Sequence, residues 1–238
     1  MRIALVVISK NEDPYIEEWI NYHIKLGVSN VVIYQNNWIY KGSNPNVDLI
    51  EFNGKTKQIS AYRHFMNNYH DKFDWAVFID VDEFIVLKKH KTLEEFILSC
   101  GDTNVISMNW VLFGDNGHKE LGEDTSVLRR FTKRQNKSNP HIKSISRVNT
   151  SILFTNPHST NQIWIDTNGK RGSGPYNIDG PIDVIQLNHY FTKTKPEFKN
   201  KISRGRADTI RQRSISDFDV HNFNEIEDLL AYNFLYEN

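Results

Sequence analysis

Cysteine is almost missing from this chain: Cys100 is the single one in 238 residues. One thiol cannot close an internal disulfide, so the fold must rest on its own core, and the composition suits a reducing compartment. Long apolar runs are missing too. No stretch reaches the roughly 18 consecutive apolar residues of a membrane-spanning helix. The opening MRIALVVIS carries one early charge and no small-residue cleavage site. It reads as a buried first strand and not as a signal peptide, so a cytoplasmic protein is expected. Charge of one sign is not in excess either: 29 basic residues balance 29 acidic ones. No global field draws the chain to nucleic acid or to a membrane surface. Glycine-rich phosphate loops are absent as well. The turn after the first apolar run reads SKNED, with neither G-x-G-x-x-G nor G-x-x-x-x-G-K-[ST]. That argues against a nicotinamide-dependent oxidoreductase and a P-loop nucleotidase.

What is present is an alternation of strand and helix patterns. RIALVVI (2–8) is a continuous apolar run of strand length, as in a parallel strand covered on both faces. In the next segment Asp13 stands where an N-cap belongs, Pro14 at the first helical position and Gly27 just past the end. Ile16, Trp19, Ile20, Ile24 and Leu26 form the stripe of that helix that faces the core. NVVIYQ (30–35) completes a βαβ unit. Further strands are expected at 47–52 and 75–80, a helix at 57–70, and a helix from about 93, where Thr92 and Glu95 have capping-box spacing. NVISMNWVLF (104–113) is another strand. Beyond it the chain is rich in Gly, Asn, Ser, Thr and Pro, with short strands such as SILF and DVIQLNHYF. The expectation is a single α/β domain with an open, mostly parallel sheet. Residues 1–113 would form a ligand-binding half, and 114–238 a loop-rich, mixed half that builds the rest of a cleft. Open α/β sheets take ligands at the carboxyl ends of their strands.

Chemistry concentrates in WAVFIDVDEFIVL (75–87), where Asp80, Asp82 and Glu83 interrupt an apolar run. Unpartnered carboxylates are costly to bury. On an extended segment, residues i and i+2 point the same way, so Asp80 and Asp82 can aim at one cation. Mn²⁺ and Mg²⁺ take oxygen ligands and bridge carboxylates to phosphates. The bland alternative is a strand end with solvated acids. A second D-x-D, Asp217 and Asp219, lies in polar surroundings and reads as surface.

Read together and in order, KNEDPYIEEWINYHIKLGV, QISAYRHFM, DWAVFIDVDEF, NWVLFGDNGH and LNHYFTKTKPEF resemble the sugar transferases of glycosyltransferase family 92 and related family 2-like enzymes. The resemblance runs from Lys10 to about Gly205. It implies the GT-A (nucleotide-diphosphosugar transferase) fold and transfer of a sugar, often galactose from its UDP form, with inversion. It also implies Mn²⁺ or Mg²⁺ as cofactor and a glycan acceptor, whose lipid-linked form would bring peripheral membrane association. By resemblance, Asp80, Asp82 and His189 form the metal set. Asn11 and Glu12 lie where the nucleoside is held, and Gln58, Tyr62 and Arg63 line the same pocket. Where relatives often carry DNxSxD after the second strand, this chain reads QNNWIYKGS.

Other assignments weigh residue chemistry against plainer readings. A lone histidine such as His189 is more often a core residue than a ligand, and His158 is left unassigned. Seven cations between Arg129 and Arg147 read as a solvated hairpin or, at Lys143 and Arg147, as partners of a diphosphate; binding of nucleic acid does not fit a neutral protein. Lys193 and Arg204 would close over the leaving group. Trp110, ahead of FGDNGH, and His118, its last residue, are candidate sugar contacts, with Trp164 a weaker one. Asp115 is the candidate base that takes the acceptor proton, set against a simple turn-forming role. Glu120, Glu123, Asp166 and Asp179 are its substitutes. The rival functions are a non-catalytic carbohydrate- or nucleotide-binding module and a nucleotidyltransferase.

Overall fold

The computed structural model describes residues 1–237. Strand β1 (Ile3–Ser9), helix α1 (Ile16–Lys25), β2 (Asn30–Gln35), β3 (Val47–Glu51), α2 (Gln58–Asn68) and β4 (Trp75–Phe78) build the first half. Strand β1 lies between β2 and β4, parallel to both, with β3 parallel outside β2. The period of two in β1 serves two cores at once. Ile3, Leu5 and Val7 face Trp19 and Ile20 of α1. Ala4, Val6 and Ile8 face Tyr62 and Phe65 of α2. Both faces are therefore covered, which is why the run is apolar throughout.

Helix α1 starts later than the sequence predicts, and Asp13 is not its cap. The Glu12 carbonyl accepts the Tyr15 and Ile16 N–H groups in a turn, while Asp13 accepts the Trp38 indole N–H at 2.7 Å. The stop at Gly27 is as expected, with φ at +104°, a region that suits glycine. Within the expected stripe, Ile16, Trp19, Ile20 and Leu26 are buried and Ile24 is half-buried.

Next come β5 (Glu83–Leu87), α3 (Leu93–Ser99) and β6 (Val105–Leu112). The capping box of α3 is half made: Thr92 Oγ1 accepts the Glu95 N–H, but the Glu95 carboxylate turns back to the Lys91 N–H. The second half comprises α4 (Val127–Arg130), β7 (Lys133–Arg134), β8 (Ile142–Arg147), β9 (Phe154–Asn156), β10 (Ser159–Thr160), β11 (Trp164–Ile165), β12 (Arg171–Gly172), β13 (Ile185–His189), α5 (Lys195–Arg204), α6 (Ser216–His221), β14 (Ile226–Glu227) and α7 (Leu230–Tyr236). Of the predicted strand SILF only Phe154 is extended. The main sheet runs β12-β11-β6-β8-β4-β1-β2-β3. Strand β8 is antiparallel to both neighbours, and this turns a parallel sheet into the mixed one expected. Strand β13 pairs with β6 in parallel and with β5 antiparallel. That junction places the site, because it sets His189 opposite Glu83.

Candidate active site

The stretch 75–87 is not one strand. It is two, β4 and β5, joined by a turn in which the Glu83 N–H donates to the Asp80 carbonyl at 3.0 Å. Asp80 and Asp82 sit in that turn, so the alternation of an extended segment does not aim them together. Asp80 accepts the Gln58 amide on Oδ1 at 2.8 Å and the Lys143 ammonium on Oδ2 at 2.9 Å. Asp82 accepts the Lys201 ammonium on Oδ2 at 2.6 Å, and its Oδ1 lies 3.7 Å from His189 Nε2. The Tyr190 N–H donates to the Asp82 carbonyl at 2.8 Å and the Phe113 N–H to that of His189, which pins β13 and β6 to the turn.

Glu83 is neither solvated nor at the surface. It is fully buried, its Oε2 accepting the Asp80 N–H at 2.8 Å with Lys143 at 3.5 Å. Its Oε1 and His189 Nδ1 lie 4.0 Å apart, and both lack a hydrogen-bond partner among the described residues. Burial pushes the Glu83 carboxyl up to about 8, against the pull of Lys143. For Asp82 burial acts upward too, but Lys201 and His189 outweigh it and hold the carboxyl well below its ordinary value. Burial pushes His189 down to about 4, against Asp82. The ring is therefore neutral at pH 7, the form that binds metals.

Asp82 Oδ1 and His189 Nε2 fit one hard cation, since two bonds of about 2.1 Å span their separation. Among the described residues no group of three His, Cys, Asp or Glu side chains gathers to hold a metal, and Asp80 faces Gln58 and Lys143 instead. A cation would thus take two protein ligands and fill its shell with water and phosphate oxygens, the habit of Mg²⁺-type sites.

Two cavities open at the carboxyl ends of the parallel strands. The first, about 450 Å³, is lined by Lys10, Asn11, Tyr15, Lys193, Lys201 and Arg204. The second, about 720 Å³, is lined by Asn11, Gln35, Asn37, Trp38, Lys41 and Asn53. Asn11 belongs to both, and it and Lys193 hold left-handed backbones, with φ at 54° and 49°. For Lys193 this conformation costs about 1–3 kcal/mol and persists because the surroundings impose it.

The remaining expected residues divide. Lys193 and Arg204 line the first cavity, although the Arg204 guanidinium is also paired with Glu12 at 2.5 Å. Glu12 is thereby committed to an ion pair and does not reach outward. Lys143 is wholly buried beneath Asp80, so it supports the acid and does not face a diphosphate. Tyr62 is buried, its hydroxyl accepting from Gln58, and Arg63 donates twice to the Phe154 carbonyl. Arg147 donates to the Thr103 carbonyl and covers the Trp75 ring. Trp110 lies beside His189 with ring centroids 4.3 Å apart, and one face of it stacks on His141. Trp164 packs with Val105 and Ile142. His118 donates to the Arg130 carbonyl, away from this cluster.

Asp115 accepts the Gly117 N–H at 2.9 Å and the Asn224 amide at 3.2 Å, the hydrogen bonding of a turn-forming aspartate. Asp166 likewise accepts the Asn168 and Lys170 N–H groups, and Asp179 adopts a positive φ in a loop. Glu120 and Glu123 are exposed. Asp217 accepts the Ser214 N–H near the start of α6, so the second D-x-D is a capped surface turn. His158 Nδ1–H donates to the Ile142 carbonyl at 2.9 Å, which fixes the tautomer of that ring. Sequence reading missed Lys201. The signal was available: Lys201 and Arg204 are three apart on α5 and share a face. Arg213, within electrostatic reach of Asp80 and Asp82, carried no such signal.

An α/β sheet with cavities at the carboxyl ends of its parallel strands, and an Asp–His pair beside them, is the arrangement in which open α/β proteins take their ligands. A family model for glycosyltransferase family 92 matches residues 9–225, and the chain belongs to that family. It is 30% identical over 216 residues to a family 92 protein of Arabidopsis thaliana, covering 82% of this chain and 36% of that protein. It is 26% identical over 225 residues to one of Oryza sativa subsp. japonica, covering 87% of this chain and 36% of the relative. The chain thus spans about a third of the length of these relatives. The crystal structure of S. aureus TarS 1–349 aligns over 100% of this chain and 70% of that one, at 14% identity and a TM-score of 0.43. Among the described residues no helix is long and apolar enough to cross a membrane.

Proposed function

We propose that this chain is a glycosyltransferase that moves a sugar, galactose in the first instance, from a UDP-linked donor to a hydroxyl of a glycan, with inversion. The observation that carries the reading is the placement of Asp82 and His189, 3.7 Å apart, on a β4–β5 turn and a β13 end. The cation-lined cavity reaches the same place through Lys201, which pairs with Asp82. The nucleoside would enter the second cavity, where Gln35, Asn37 and Asn53 offer amide groups and Trp38 an aromatic wall. The diphosphate would lie in the first, facing Lys193, Lys201 and Arg204. Trp110 and Tyr176, each in ring contact with His141 between them, would border the acceptor. When bound at Asp82 and His189, Mn²⁺ or Mg²⁺ supplies Lewis-acid stabilisation to the departing diphosphate. As the donor C–O bond breaks, negative charge grows on the phosphate oxygens, and the cavity's fixed ammonium and guanidinium groups meet it without reorganising.

A glycan on a lipid carrier would bring the protein to a membrane surface, and the lone Cys100 suits a cytoplasmic enzyme. The test is a panel of nucleotide sugars with Mn²⁺, with and without EDTA, in which free nucleoside diphosphate is measured. Release from one donor is expected, with loss in Asp82→Asn and none in Asp217→Asn. Release of pyrophosphate instead would point to a nucleotidyltransferase. Tight binding without release would point to a non-catalytic module.

A further inference from the structure

Three carboxylates of the cleft each have their own cation. Lys143 is on Asp80 at 2.9 Å, Lys201 on Asp82 at 2.6 Å and Arg204 on Glu12 at 2.5 Å. Glu83 lies sealed below and shares Lys143. Lys193 and Arg213 make no ion pair among the described residues, yet the charge of each is felt at Asp82. Five cations thus face four carboxylates even when Glu83 is counted as charged. Such a cleft rejects a lone dication and attracts a polyanion.

Lys201 is the member of this set best placed to act on both ligands. Lys143 is wholly buried and does not line the cavity, whereas Lys201 does. An ammonium has three N–H donors. Two are used, on Asp82 Oδ2 at 2.6 Å and on the Phe191 carbonyl at 2.9 Å. The ammonium also lies 4.0 Å above the Phe191 ring centroid, and the third N–H, which makes no hydrogen bond among the described residues, is the one a phosphate oxygen in the cavity would take. The same ammonium occupies one oxygen of the carboxylate whose other oxygen faces His189. A dication on that second oxygen would lie close to it in a site of low exposure, where like charges repel strongly. A diphosphate between them removes the penalty.

We propose that Lys201 couples the two ligands of the site: seated on Asp82, it keeps a divalent cation from binding alone and admits it together with a nucleoside diphosphate, one phosphate oxygen of which takes its third N–H. This rests on the reading of the cleft as a nucleoside diphosphate site. Lys201 is here a phosphate-contacting residue as well as a positioning one, since Asp82 cannot turn both oxygens to a cation while it is in place.

The experiment is a binding cycle on the full chain. Mn²⁺ affinity is measured by electron paramagnetic resonance with and without saturating UDP, and UDP affinity by calorimetry with and without Mn²⁺. In the wild-type chain, UDP should raise Mn²⁺ affinity by about a hundredfold, near the upper end of ordinary coupling between sites. In Lys201→Met, Mn²⁺ alone should bind at least about tenfold more tightly, while UDP without metal binds more weakly, so the coupling shrinks. Lys201→Arg, which keeps the charge, should retain most of it. Equal coupling in wild-type and Lys201→Met would overturn the inference and leave the nucleotide site standing. Absence of UDP binding to the wild-type chain under all conditions would remove the site itself. Should Lys201→Met fail to fold, the wild-type cycle decides: coupling below about threefold overturns the inference.

Discussion

Lys143 places its ammonium 2.9 Å from Asp80 and 3.5 Å from Glu83, with its own side chain entirely buried. Two of the three acids in the DVDE turn therefore depend on one cation. Its partners hold it protonated: burial acts against the charge, but Asp80 and Glu83 outweigh it and raise its pKa.

Lys143→Met is expected to leave those carboxylates without a counter-charge. Breaking one side of a buried pair costs about 3–5 kcal/mol. Urea unfolding at pH 7 should show a loss of that order, with donor affinity falling only as the turn distorts. A variant of normal stability with weakened diphosphate binding would instead place Lys143 in the cleft.

Asp115→Asn should change turnover by no more than a few-fold. An asparagine side chain can accept the Gly117 N–H as the aspartate does at 2.9 Å. A fall of about a hundredfold or more, with donor affinity kept, would restore Asp115 as the base that takes the acceptor proton.

His23 makes stability depend on acid. It donates Nδ1–H to the Trp19 carbonyl at 2.8 Å and receives the Ile85 N–H on Nε2 at 3.4 Å, so its buried ring is neutral. Burial lowers its pKa to about 3. Between about 6.5 and 3 the unfolded chain holds the extra proton and the folded one does not, so the His23 contribution is lost as pH falls through that window. From pH 7 to 4.5 the wild-type chain should lose about 2 kcal/mol more than His23→Gln, measured as urea midpoints.

Arg130 and Glu197 form a buried pair with contacts at 2.6 and 3.1 Å, and Tyr15 adds its hydroxyl to the same carboxylate at 2.8 Å. They fasten α5, which carries Lys201 and Arg204, to α4. Arg130→Met should cost about 3–5 kcal/mol, and Arg130→Met with Glu197→Met should recover part of it. UDP affinity should fall in the single variant, because α5 loses its anchor. Calorimetry beside thermal unfolding checks both.

Much of the framework was legible from local pattern. An apolar run such as RIALVVI has few alternatives to a strand covered on both sides, and the βαβ spacing that follows makes its neighbours parallel. The stop at Gly27 was legible because a left-handed residue there favours glycine. The Asp13 cap was misread for an equally physical reason: two carboxylates precede the helix, and partners distant in sequence, Arg204 for Glu12 and Trp38 for Asp13, take both.

The site followed the same division. Spacing paired Asp80 with Asp82, and the resemblance in motif order added His189 to them; of the three, only Asp82 and His189 come together, while Asp80 turns to Gln58 and Lys143. The pairing itself came from β13 lying between β5 and β6, which sets residues 107 apart in sequence beside each other. Tertiary structure alone decided which cation each acid receives. Lys143 and Lys201 reach the turn from β8 and α5, and a side chain's charge carries no record of the carboxylate it will meet. The division has a simple cause. Periodicity and capping act through neighbours three or four residues apart, whereas burial and ion pairing depend on whichever elements the sheet order brings together.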